Sequence, residues 1–259
     1  MNEPIIAARQ LHKHFGAVVA ASDVTLEFGA GEVVGIIGAN GAGKTTFVNM
    51  VTGYIKPDQG RILFRGKDVT RLSPREVTRL GIRRSFQVAQ LFPNLCVRDN
   101  VIIALACAER VRPSLTDELR SAERIARANA ILARLGLADA GEHATTELPQ
   151  GQRKLLDIAL AMVDRSEALL LDEPTSGISA EEKFPLMGLV METVTSTGAM
   201  IMFVEHDMEI VERYAARVIA FYEGRVIADG TPEKVLSDPD VRRYVVGTEL
   251  HRRPDGRVA

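Results

Sequence analysis

The stretch from Glu32 to Thr46, EVVGIIGANGAGKTT, limits what this chain can fold into more than any other. Its apolar run, Val33 to Ile37, reads as a buried strand. Gly38-Ala39-Asn40-Gly41-Ala42-Gly43-Lys44-Thr45 then fills every fixed position of a P-loop, and Thr46, Phe47, Val48, Met50 and Val51 continue at helical spacing. Glycines let a backbone close around phosphate oxygens, where side chains would block the approach or forbid the dihedrals. The N–H groups of the loop and of the helix start, through Thr46, then form an anion nest at the positive end of a helix dipole. Lys44 supplies a point charge for β- and γ-phosphates, and the Thr45 hydroxyl is a natural Mg²⁺ ligand. A chance glycine-rich turn would need neither the strand before it nor the helix after it. The stretch predicts nucleoside triphosphate binding.

A chain of 259 residues can bury a large core and hold one or two domains. A net charge of −2 with no dense basic block gives no reason to expect nucleic acid. Cys96 and Cys107 lack metal-ligand spacing and read as core thiols of a reducing compartment. Met1-Asn2-Glu3-Pro4 does not read as a signal peptide, and no apolar run approaches the ~20 residues needed to cross a bilayer. Work at a membrane would require another chain to supply the membrane part.

Ile5 to Ala8, Val24 to Phe28 and Val33 to Ile37 read as strands. Between the first two, Phe15 before Gly16 either offers its ring to a flat base or fills a core. Gly53 reads as a helix C-cap, Arg61 to Phe64 as a strand, and Ser73-Pro74-Arg75-Glu76 as a capping box that starts a short helix ending near Gly81. Ile82 to Phe86 leads into Gln87, whose amide either reaches a ligand or, as the residues alone favour, lies at the surface. From about Val97 to Val163 apolar residues recur at helical spacing, with Ser114 and Thr116 as plausible caps and Gly136 as a stop. This reads as a helical insertion in an α/β chain. Ser179-Ala180-Glu181-Glu182 reads as a second capping box, with Gly198 closing that helical region; Pro185 should kink the helix or reset its start. Val218 to Tyr222, Glu223-Gly224 and Arg225 to Ala228 make a hairpin, and Thr231-Pro232 starts a helix. From about His251 the chain is polar and expected to fray.

Two strand ends carry acids. Ala168 to Leu171 runs into Asp172-Glu173, at the carboxyl edge where open α/β sheets bind ligands. Asp172 can hold Mg²⁺ through water, and Glu173 can take a proton from an attacking water, a role worth ~10²–10⁴-fold in rate. Ala199 to Val204 ends in Glu205-His206-Asp207; His206 either addresses a γ-phosphate or its water, or caps the next helix.

In this order, these pieces resemble the ATP-binding cassette (ABC) ATPase family over nearly the whole chain. Gln87 falls at the family's Q-loop, Leu148-Pro149-Gln150-Gly151-Gln152 at its signature, Ser176-Gly177-Ile178-Ser179 at its D-loop and His206 at its switch histidine. The resemblance implies that Phe15 stacks on adenine, that Gln87 is catalytic and also reaches the metal, and that Pro149, Gly151 and Gln152 address nucleotide. Within the family, Arg84-Ser85-Phe86-Gln87, Gln90 to Leu95, Gly151-Gln152-Arg153, Val204 to Met208 and Asp238 to Val241 are similar to ATPases of branched-chain amino acid and urea/amide importers. Pro149 replaces the usual signature serine, as that subgroup often does, and Ser179 replaces the D-loop aspartate.

The implied fold is a P-loop NTPase α/β core of the ABC type, about residues 4–87 and 164–247, with an antiparallel β subdomain and an inserted helical subdomain at about 88–163. Residues 248–259 form a polar tail. The implied function is Mg²⁺-dependent ATP hydrolysis at the cytoplasmic face of the cell membrane. Partners would be a second ATPase subunit, identical or different, permease subunits and, indirectly, a solute-binding protein. The alternatives are a soluble ABC ATPase acting on ribosome or DNA, and an ATP-sensing module without turnover. Val88, Leu91, Phe92 and Leu95 are more apolar than a surface loop needs, so the 87–95 segment is either a permease contact or packing between subdomains.

Overall fold

The computed structural model describes residues 3–85, 91–109, 119–164 and 166–247. Alternation of buried Val24, Leu26 and Phe28 with exposed Thr25 and Glu27 gives β2 (Val18–Phe28) one inward face. It pairs antiparallel with β1 (Ile6–Phe15), which also pairs with β4 (Gln59–Phe64), and β4 with the short β5 (Lys67–Asp68). The first two strands are longer than their apolar residues indicate. Pairing continues to Phe15 opposite Val18, through register shifts that break the alternation.

The second sheet has the order β10-β9-β3-β8-β7-β6. Its parallel part comprises β3 (Val33–Gly38), β6 (Ile82–Ser85), β7 (Ala168–Asp172), β8 (Met200–Val204) and β9 (Arg217–Tyr222). β10 (Arg225–Gly230) closes it as an antiparallel hairpin with β9. The strands β7 and β8 are buried at every residue, as expected for a sheet covered on both faces. Ile36 and Asp172 both lie opposite Val204, so the carboxyl ends of β3, β8 and β7 share one edge.

One face of this sheet packs with the antiparallel sheet and α1 (Lys44–Val51) around Phe28, Phe47 and Phe221. The other face receives α6 (Ala180–Thr195), α7 (Met208–Tyr214) and part of α5 (Gln150–Met162). A third cluster joins α3 (Val97–Ala108), α4 (Ala122–Arg134) and the remaining face of α5. Ile158 and Ala161 of α5 belong to the sheet's cluster, whereas Leu156 and Ala159 belong to the helical one. Helix α5 therefore ties the two regions together, with Leu189 of α6 packing against the helical cluster as well.

Most local signals behave as their chemistry dictates, but Cys96, half-buried at the N-cap of α3, and Cys107, exposed, are not the core thiols expected. The capping box at α2 (Pro74–Leu80) is complete, and Gly53, Gly81, Gly136 and Gly198 follow helix ends with positive φ. Ser179 starts α6, but its side chain accepts no backbone N–H; its hydroxyl meets the Glu182 carboxylate instead, so the second capping box is not formed. Pro185 neither resets nor ends α6. It costs about 3 kcal/mol, against about 1.5–3 kcal/mol for each of the buried Leu186, Met187, Val190, Met191 and Val194. Pro149 is the N-cap of α5, one position before the first turn. Ser114 and Thr116 lie outside the described residues, as do Gln87, Val88 and the 248–259 tail; Ser121 is the cap of α4.

Candidate active site

The loop between β3 and α1 is shaped by its own chain. A Cβ on Gly43, whose φ is 103°, would lie 2.5 Å from the Ala20 carbonyl oxygen. One on Gly38 would lie 2.6 Å from the Phe221 carbonyl oxygen. These two glycines are therefore demanded by packing against protein backbone, not only by the approach of phosphate. Gly41 differs: its φ is 78°, but an added Cβ would meet nothing within 4 Å, so its surroundings are open. No side chain caps α1, which leaves the first N–H groups of Lys44, Thr45 and Thr46 for an outside acceptor. Ala39, Asn40 and Ala42 complete the loop, with Ala42 N–H donating to the Ala39 carbonyl.

Lys44 is buried, and its Nζ donates to the carbonyl oxygens of Gly38 at 2.6 Å and Ala39 at 3.0 Å. Burial pushes the ammonium below the ordinary lysine range, and the charges of Glu173 and Asp172 act in the opposite direction. Lys44 thus spans the base of the loop and feels both acids.

Asp172, at the end of β7, receives a hydrogen bond from Arg84 Nη2 at 2.6 Å, and both side chains are only 8% exposed. Arg84 Nη1 also donates to Asn49 Oδ1 on α1, and the guanidinium lies over the Tyr54 ring at 5.8 Å. One arginine of β6 thus links the acid to the helix that follows the P-loop.

Glu173 takes φ = 47°, the left-handed region, which costs a non-glycine residue roughly 1–2 kcal/mol. Several partners hold it there. Its N–H donates to the Val204 carbonyl at 3.0 Å, its carbonyl accepts from Ser176 N–H at 3.1 Å and from Lys154 Nζ at 3.3 Å, and its Oε1 lies 3.1 Å from His206 Nε2. The next turn is pinned by Glu205, whose Oε1 accepts from Thr175 N–H at 2.9 Å and Thr175 Oγ1 at 2.7 Å. Burial raises the Glu205 carboxyl above the usual range, while the bonds from Thr175 and His206 N–H oppose that shift.

His206 does not cap the next helix. Asp207 does, accepting from Glu209 N–H, and the imidazole is left against Glu173. A cleft of about 310 Å³ opens beside this pair, lined by Glu173, Ser176, Lys183 and His206 among others. Phe15 fills no core: it is 48% exposed at the end of β1, with Lys13 Nζ 5.5 Å from its ring centroid. Pro149, Gly151 and Gln152 stand at the start of α5. Gln150 packs so closely on Gly177 that a Cβ there would lie 2.1 Å from its amide nitrogen, which joins the start of α5 to the 176–179 turn.

Lys44, Asp172, Glu173 and His206 are thus gathered at one sheet edge. Among the described residues no cluster of three or more His, Cys, Asp or Glu forms a metal cage. Mg²⁺ takes one or two protein ligands and completes its shell with water and phosphate oxygens. Thr45, exposed at the start of α1, and Asp172 have the right donor chemistry. Arg84 and Glu205 entered the sequence reading only within quoted motifs, and Lys154 and Thr175 not at all; none of the four was given a place in the site. Nothing local in the sequence marks them as supports of the acids.

Residues 21–176 match the ABC transporter family. The chain is 34% identical over 255 residues to the high-affinity branched-chain amino acid transport ATP-binding protein LivG of Escherichia coli (strain K12), covering 95% of this chain and 99% of that one. It is 31% identical over 253 residues to BraF of Pseudomonas aeruginosa, a protein of the same description, covering 95% and 99%. Among solved structures it resembles the ADP conformation of MJ1267, an ATP-binding cassette of an ABC transporter, with a TM-score of 0.82 and 30% identity over 93% of this chain and 97% of that one. The dimeric post-hydrolysis state of the cassette MJ0796, bound to ADP and Pi, superposes with a TM-score of 0.75 at 25% identity, covering 88% and 98%.

Proposed function

Because this chain belongs to the ABC transporter family, we propose that it is the Mg²⁺-dependent ATP-hydrolysing subunit of a membrane importer for branched-chain or related hydrophobic amino acids. The observation that carries the ATPase reading is the meeting of Lys44, Asp172, Glu173 and His206 at the mouth of the P-loop edge. The end-to-end similarity to LivG and BraF supports the solute class, and favours transport over action on ribosome or DNA.

In this reading the N–H groups of residues 38–46 and the Lys44 ammonium hold the phosphates, and the exposed face of Phe15 carries the adenine. Thr45 and Asp172 would hold Mg²⁺, which neutralises charge on the β- and γ-phosphates when bound. Arg84 fixes one oxygen of Asp172, and the other would serve the metal through water. Glu173 accepts the proton of the attacking water as its oxygen bonds to the γ-phosphorus and the bond to the β-phosphate oxygen breaks. His206, as the tautomer with a proton on Nε2, donates to Glu173 Oε1 and orients that carboxylate. Gln87 lies outside the described residues and keeps its proposed place as the amide that reaches metal and water.

The proposed complex pairs two ATPase subunits, so that Pro149, Gly151 and Gln152 of one address the nucleotide of the other. Pro149 brings neither hydroxyl nor N–H to that contact. The permease would touch the 87–95 segment, where Phe92 is 52% exposed while Asn100 and Thr145 hold its backbone. Among the described residues no helix is long and apolar enough to cross a membrane, so attachment would be peripheral. Cell fractionation tests this. The chain should sediment with membranes only when its permease subunits are co-expressed, and Phe92→Ala should weaken that association. Membrane binding without permease, or full transport by the Phe92 variant, would count against the proposed docking.

A further inference from the structure

Helix α5 carries a lysine that the proposed hydrolysis does not use. Lys154 stands four residues after Gln150, about 6 Å along the axis from the start of the helix. It is only 6% exposed, and its Nζ donates to the main-chain carbonyl of Glu173 at 3.3 Å. Asp157 of its own helix, Asp172 and Glu173 of the β7 end, and Glu205 of the β8 end all act on its charge. Burying an ammonium is costly unless carboxylates and hydrogen bonds compensate it, and here they come from three elements. The carbonyl it holds belongs to the residue with positive φ whose side chain meets His206. The N–H of that residue is tied to β8, and its carbonyl is held by the Ser176 N–H of its own turn at 3.1 Å together with Lys154, the one of these two donors that comes from another element.

We propose that Lys154 is a positioning residue for the hydrolytic base: it holds the Glu173 carbonyl and makes the alignment of the carboxylate depend on the seat of α5. The helix whose first turn carries Gly151 and Gln152 is thereby joined to the base of its own chain's site. A shift of α5 at its N-terminus moves the ammonium, and with it the turn that aims Glu173. The proposal rests on Glu173 acting as the base.

The test uses the full-length chain with Lys154→Met and Lys154→Arg, each alone and combined with Glu173→Gln. The readouts are melting temperature, binding of a fluorescent ATP analogue, and kcat and KM for ATP. Lys154→Met is expected to lower kcat about 10-fold or more and to change nucleotide affinity by less than about 3-fold. Lys154→Arg, which keeps a buried donor and charge, should recover a substantial part of kcat. In the Glu173→Gln background, Lys154→Met should lower the residual rate by less than about 2-fold, because both changes act through one group. A kcat for Lys154→Met within about 2-fold of the unsubstituted chain overturns the proposal. So does an equal loss in both backgrounds. If Lys154→Met does not fold, Lys154→Gln, shorter and still polar, takes its place under the same criteria. Failure of the underlying reading is separately visible: Glu173→Gln alone would then turn over ATP at the unsubstituted rate.

Discussion

Lys44 closes the P-loop by bonding to Gly38 and Ala39, six and five residues back, whereas the Glu173 turn is held by side chains from three distant elements. Arg84 reaches Asp172 across 88 residues, Lys154 reaches the Glu173 carbonyl across 19, and Glu205 reaches Thr175 across 30. The half proposed to bind phosphate is therefore closed by bonds within its own loop, although Gly38 and Gly43 pack on Phe221 and Ala20, and the half proposed to activate water is assembled by the tertiary fold. Damage to the first should stay near the loop. Damage to the second should arise from residues that never touch nucleotide.

The largest stability effect should come from Arg84→Met, which leaves Asp172 buried without its guanidinium. Removing one partner of a buried pair costs about 3–5 kcal/mol, and denaturant unfolding should show a loss of that order. A loss under about 1 kcal/mol would mean that the pair behaves like a surface contact. Next comes a pair of loop changes. Gly43→Ala forces a Cβ onto the Ala20 carbonyl at positive φ and should cost about 3 kcal/mol. Gly41→Ala meets no atom and should cost only about 1 kcal/mol. Equal melting temperatures for the two variants would contradict the packing role assigned to Gly43.

A smaller effect concerns pH. Burial raises the Glu205 carboxyl in the folded chain, so the native state binds more protons than the unfolded one between the ordinary and the raised values. Its contribution to stability is fully present below the ordinary glutamate pKa and is lost as pH rises through the raised one. Melting temperatures across that window should fall for the unsubstituted chain relative to Glu205→Gln; parallel curves would remove Glu205 as the cause. The smallest effect separates the two serine caps. Ser73→Ala breaks a complete capping box and should cost about 1 kcal/mol, whereas Ser179→Ala removes no backbone bond and should cost a few tenths.

The same division explains what the sequence could disclose. The P-loop, the acids after β7 and His206 after β8 were legible because each sits beside its own strand, and the strand pattern gives the direction of the edge. The complete capping box and the glycines after helix ends were legible for the same local reason. Arg84 and Lys154 look in sequence like two more charges on a strand and a helix. Only the parallel order of β6, β7 and β8, with α5 laid on them, brings those charges under the acids. Phe15 could not be placed because its exposure depends on β1 and β2 pairing beyond their apolar residues. Pro185 does not reset the start of α6, because burial of the residues after it outweighs the local penalty.

The central claim, that one half of the site binds and the other half activates water, is tested most directly by comparing Lys44→Ala with Glu173→Gln. Equilibrium binding of ATP and single-turnover hydrolysis would be measured on the same full-length preparations, with Mg²⁺ and with it chelated. Lys44→Ala should lose affinity for the nucleotide. Glu173→Gln should bind ATP as the unsubstituted chain does while its turnover falls about 10²–10⁴-fold, and chelation should abolish hydrolysis in the unsubstituted chain. Unsubstituted turnover by Glu173→Gln, or normal binding by Lys44→Ala, would contradict the division of the site into these two halves.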